Sequence, residues 1–151
     1  MGTTDNIRNG VKMSIPYIAV DLDGTLARYE EWGGTLVIGE PVMPMVRRVK
    51  GWLKEGWKVK IMTARITKVK GQPFNRKETV KAIEDWCVKH IGQKLEVTSE
   101  KDYYMVQLWD DRAIQVITNE GITLAEKHLP KLKHYERRME LPKPQQKRVI
   151  T

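Results

Sequence analysis

Ile15-Pro16-Tyr17-Ile18-Ala19-Val20-Asp21-Leu22-Asp23-Gly24-Thr25 joins an apolar run to a pair of acids and a glycine turn. The run from Ile15 to Val20 is apolar without alternation, the pattern of a parallel strand buried on both faces. It stops at two carboxylates two residues apart. Ligands of open α/β sheets bind beyond the carboxyl ends of such strands, so Asp21 and Asp23 stand where a substrate would be met. In extended chain, residues i and i+2 point to the same side, which lets the pair share one substrate. Gly24 then permits a sharp turn, although an Asp-Gly pair taken alone is also an ordinary way to end a strand.

A second acidic pair, Asp110-Asp111, closes another apolar run, Met105-Val106-Gln107-Leu108-Trp109. Two strand ends with paired carboxylates are harder to assign to turns. Like charges about 4 Å apart repel by about 4 kcal/mol at an effective dielectric near 20, so converging carboxylates need a cation or a proton between them. Oxygen ligands on strand ends suit Mg²⁺, which also takes phosphate oxygens of a substrate.

Asp21-Leu22-Asp23-Gly24-Thr25-Leu26, then Lys60-Ile61-Met62-Thr63, then Lys101, then Asp110-Asp111 resemble, in order and spacing, the four motifs of the haloacid dehalogenase superfamily of phosphatases. The match spans about residues 15 to 120. The resemblance implies Asp21 as the nucleophile that forms an aspartyl-phosphate and Asp23 as the general acid and base. It implies Thr63 as a hydrogen-bond partner of the phosphoryl group and Lys101 as the cation that keeps Asp21 ionised. Mg²⁺ would be bound by Asp21, Asp110 and the backbone carbonyl of Asp23, with Asp111 in support. An acid at position 23 favours a phosphatase over a dehalogenase.

The fold expected is α/β, a doubly wound parallel sheet with a Rossmann-like core. Strands are predicted at about 15–21, 59–62, 95–98, 105–110 and 114–118, and helices at 41–55, 76–91 and 123–139. Residues 28–40, with Trp32-Gly33-Gly34-Thr35, read as a small hairpin flap. There is no room for a cap domain after either of the first two motifs. A site without a lid excludes water less well, which points to a large phosphorylated substrate or to closure by a second copy in a homo-oligomer.

Composition bounds the rest. With 151 residues, 40% of them hydrophobic, the chain suits one domain, set at 14–140 between a polar N-terminal tail, 1–13, and a basic tail, 141–151. The two prolines and low apolar content of 141–151 predict mobility. No window has the apolar length of a membrane span and Met1 to Lys12 has no secretory core, so a soluble, cytoplasmic protein without membrane partners is expected. The single cysteine, Cys87, shares helical spacing with Val80, Ile83 and Ile91 and reads as a core thiol. Net charge is +8, and Lys127 to Thr151 carries eight of the 27 basic residues against two acids, so the excess sits in the tail.

Arg65, Lys68, Lys70, Arg76 and Lys77 follow Thr63 with no intervening acid. They favour a multiply anionic substrate. Arg65, Lys68 and Lys70 are the candidate substrate-binding residues, with Arg65 as a forked phosphate clamp. The leading expectation is an Mg²⁺-dependent phosphomonoesterase acting on a nucleotide or a nucleic-acid phosphate end. A small-metabolite, phosphosugar-type phosphatase and a nucleic-acid-binding module that retains the fold are the alternatives. No Gly-x-x-x-x-Gly-Lys-Ser/Thr phosphate loop accompanies these motifs.

Overall fold

Tyr17–Asp21 forms the central strand of a four-stranded, all-parallel sheet because its residues can be buried on both sides: Tyr17, Ile18, Ala19 and Val20 are all at most 3% exposed. This structure is a computed structural model, and it describes residues 7–8, 11–12 and 15–128. In chain order the strands are β1 (Ile7–Arg8), β2 (Val11–Lys12), β3 (Tyr17–Asp21), β4 (Lys58–Met62), β5 (Glu96–Thr98) and β6 (Met105–Trp109). The helices are α1 (Met43–Lys54), α2 (Arg76–Ile91) and α3 (Leu124–His128), with a 3₁₀ turn at Ala64–Ile66. The chain divides into two compact units, Met1–Arg112 and Ala113–Thr151.

In the first unit the sheet order is β5-β4-β3-β6. Asp21 pairs with Met62 and Val20 with Trp109, so Thr63 and Asp110 both emerge beside Asp21 at the carboxyl edge. The crossovers through α1 and α2 step in one direction across the sheet, and both helices pack on one face of it. Val46 and Val49 of α1 and Ile83, Trp86, Cys87 and Ile91 of α2 pack there against Ile18, Val20, Val59 and Ile61. Cys87 is fully buried, as its spacing predicts.

The opposite face is polar on β4 and β5. Glu96 bridges Lys58 at 3.2 Å and Lys60 at 3.0 Å, and the Lys60 ammonium lies 4.2 Å from the centre of the Tyr17 ring. Val106 and Leu108 are exposed on β6. Tyr17 and Ala19, which pair with Lys58 and Lys60 and so share that face, are at most 1% exposed, so β3 is covered on both sides, whereas β4, with its alternation Lys58, Val59, Lys60, Ile61, is fully buried only on the helical side.

Helix α2 keeps its predicted bounds. Asn75 caps its start by accepting the Glu78 amide at 3.1 Å, and Gly92 ends it with φ +97°. Residues 28–40 form a loop rather than the expected hairpin. A single bridge, Ala27 to Pro41, closes its base and a turn at Gly34 folds its tip, with no strand ladder between.

The second unit contains an antiparallel bridge between Val116 and Thr123, where a strand at 114–118 is predicted, and α3. Thr123 and Glu126 form a reciprocal capping pair at 3.0 and 2.6 Å at the start of that helix. The remainder of the helix predicted to 139 and the tail from 141 lie outside the described residues. At the other end of the chain, β1 and β2 pair within the predicted polar tail.

Candidate active site

Three carboxylates meet where β3 and β6 end. One oxygen from each of Asp21, Asp110 and Asp111 lies within 4.8 Å of the others. Burial first, and then the charges of Asp110 and Asp111, push the Asp21 carboxyl up to about 7. Thr25 ties the group together: its hydroxyl accepts the Asp111 amide at 3.0 Å and can donate to Asp111 at 3.3 Å or to Asp21 at 3.4 Å. The Arg112 amide orients Asp110 at 2.8 Å.

Glycine at position 24 is a requirement of this assembly. Its φ is +88°, and a Cβ there would stand 2.6 Å from Asp111 Oδ2. The missing side chain is what lets Asp111 close on the strand-end loop. An all-oxygen donor set with this much mutual repulsion fits a hard cation such as Mg²⁺.

Asp23 does not join the cluster. Its carboxylate is gripped by Arg65, Nε to Oδ2 at 2.6 Å and Nη2 to Oδ1 at 2.8 Å. The same guanidinium donates to the carbonyls of Gly34 and Thr35 at 3.0 Å and Val37 at 2.7 Å. All five guanidinium donors are therefore engaged, and the side chain is only 4% exposed. As a phosphate clamp Arg65 has no donor to offer; it straps the 28–40 loop to Asp23 instead. The 3₁₀ turn after Thr63 aims it there.

A cavity of about 590 Å³ opens over these groups. Its lining includes Asp21, Asp23, Thr63, Arg65 and Asp110 from the predicted set. Thr63 is buried, and its hydroxyl accepts the Arg65 amide at 3.1 Å, leaving its own proton to donate into the cavity. Lys68 and Lys70 are exposed and lie outside the lining, whereas Thr67 and Val69, which alternate with them, line it. Lys101 is exposed, lies outside the lining and makes no ion pair among the described residues.

Sequence reasoning missed Tyr29, Trp32, Ser99 and Arg112, which all line the cavity. Two of them carried a signal. Arg112 directly follows the acidic pair, and Ser99 directly follows Thr98, the partner of Met62 in the sheet register. Trp109 is not a site residue, because it turns to the helical face and packs 5.1 Å from Trp52.

Compared with protein-family models, with curated proteins and with solved structures, the chain matches none.

Proposed function

We propose that this protein is a phosphomonoesterase that works through a phosphorylated Asp21, with Mg²⁺ as its cofactor. The observation that carries the reading is the convergence of Asp21, Asp110 and Asp111 beside a cavity that Asp21 and Asp110 line together with Asp23 and Thr63. The motif order shared with the haloacid dehalogenase superfamily supports the same assignment of roles.

Asp21 attacks the phosphorus; its oxygen–phosphorus bond forms as the ester oxygen–phosphorus bond breaks, and the departing alkoxide takes a proton from Asp23, which enters this step carrying a proton taken up from solvent. Water then attacks the aspartyl-phosphate, gives a proton back to Asp23, and releases inorganic phosphate with Asp21 restored. The Arg65 fork uses one lone pair on each Asp23 oxygen, and each oxygen retains a second for this proton traffic. Thr63 donates to a phosphoryl oxygen. Arg112, at the cavity wall, supplies positive charge there, a role the sequence suggested for Lys101. Asp21 and Asp110, with Asp111 beside them, would hold Mg²⁺, whose charge would offset that of the acids and of the phosphoryl group.

The test is turnover of an activated aryl phosphate by wild type and by Asp21→Asn, with and without chelator. The reading expects Mg²⁺-restorable activity in wild type and a loss of several orders of magnitude in the folded variant. Activity that survives chelation, or an active Asp21→Asn protein, contradicts it.

A further inference from the structure

Trp32 stands at the mouth of the same cavity, 49% exposed, with the Arg65 guanidinium 4.9 Å from the centre of its ring. A surface tryptophan is ordinarily free to move, but this one sits on a fixed support. Arg65 cannot swing away, because its five donors are held by Asp23 and three carbonyls of the Trp32 loop. The loop is also pinned at its base. The Arg28 amide donates to the Glu40 carbonyl at 2.8 Å, and the Trp86 indole donates to the Gly39 carbonyl at 3.0 Å. Gly39 packs so closely that a Cβ would stand 2.0 Å from the Arg28 carbonyl oxygen. Tyr29, 44% exposed, adds a second ring to the same mouth.

We infer that Trp32, backed by Arg65, is a preformed stacking plate for a planar aromatic ring on the substrate, and that the substrate class is a nucleoside monophosphate or a terminal nucleotide. The inference rests on the phosphatase reading for one thing only, that the phosphate enters at the acidic end. Two arguments favour a base over a bare sugar. The cavity, at about 590 Å³, has room for more than a sugar phosphate. A cation over one face of the indole draws electron density from the other, which weakens contacts with sugar C–H groups while leaving offset stacking of a second π system favourable. Immobilising the plate beforehand removes the ordering cost that a free surface tryptophan would carry.

The experiment compares guanosine monophosphate with ribose 5-phosphate, which keeps the sugar and the phosphate and lacks the base. Binding is measured by calorimetry on Asp21→Asn protein in Mg²⁺, and kcat/KM on the Asp21-containing protein, each with Trp32, Trp32→Phe and Trp32→Ala. Base stacking contributes on the order of tenfold or more in affinity. The nucleotide should therefore bind at least about tenfold tighter than the sugar phosphate, the preference should largely survive in Trp32→Phe, and it should collapse in Trp32→Ala. The kcat/KM ratio should follow the same order. Equal affinities, or a preference that Trp32→Ala leaves intact, overturn the inference, and so does a Trp32-dependent preference for the sugar phosphate. If no ester is turned over at all, the phosphatase reading fails, and the binding arm still decides whether Trp32 recognises a base. Arg65→Lys, which keeps the charge and loses the fork, should lower the nucleotide preference with Trp32 intact; an unchanged preference would remove Arg65 from the plate.

Discussion

Both oxygens of Asp23 are held by one guanidinium, Arg65, at 2.6 and 2.8 Å, and that guanidinium is itself 4% exposed. The ion pair therefore joins the first acidic motif to the 28–40 loop. Breaking a buried pair by removing one partner leaves an uncompensated charge and typically costs about 3–5 kcal/mol. Arg65→Ala also strands three carbonyls, so the unfolding free energy from urea titration should fall by an amount in that range, with a lower midpoint. A midpoint equal to wild type would mean that the strap does not stabilise the fold.

Gly24 and Asp111 make a second coupled pair. Alanine at position 24 meets a left-handed φ, costing about 1–2 kcal/mol, and its methyl meets the Asp111 carboxylate. Gly24→Ala should lower thermal stability modestly and blunt the stabilisation that Mg²⁺ gives, since Asp111 must move. Titrating Mg²⁺ against melting temperature checks this. An unaltered Mg²⁺ response would detach Asp111 from the metal site.

The acid cluster sets a pH dependence with a definite sign. Asp21 is raised to about 7 by burial and by its acidic neighbours, so its contribution to stability is fully present below about pH 4 and is lost as pH rises through 7. Without metal, the melting temperature should fall between about pH 5.5 and about pH 8, and Asp21→Asn should flatten that slope. If Mg²⁺ is held by these carboxylates as proposed, it needs them ionised and should stabilise more at the higher pH. The same slope in Asp21→Asn would contradict the assignment.

Cys87 is fully buried, and burial pushes its thiol up to about 12. Because the thiolate is the reactive form, Ellman's reagent should label it only in the unfolded state. Rapid labelling of the native protein would show that α2 opens readily.

How far the sequence could be read follows from which signals are local. The unbroken apolar run of β3 and the Asn75 and Gly92 caps of α2 act within a few residues, and both elements stand where predicted. The meeting of Asp21 with Asp110 and Asp111 was legible because parallel strands deliver their ends to one edge. The role of Arg65 is not local, because closeness to Thr63 in sequence says nothing of direction: the 3₁₀ turn sends its side chain across to Asp23 and the loop carbonyls. Trp32 escapes a local reading for a related reason. Its value as a ring surface comes from the guanidinium behind it, a contact between residues 33 positions apart. The Lys58 to Ile61 alternation marks β4 as one-sided, apolar toward the helices and charged on its other face.

Phosphorylation of Asp21 during turnover, on which the proposed mechanism turns, can be trapped chemically. Rapid acid quench of the enzyme with a phosphate ester and Mg²⁺, followed by borohydride reduction and peptide mapping, converts an aspartyl-phosphate into homoserine at its own position. Homoserine at residue 21, absent without substrate and absent from Asp21→Asn, is the result predicted. Sustained hydrolysis with residue 21 unmodified, or with modification at another carboxylate, would contradict it.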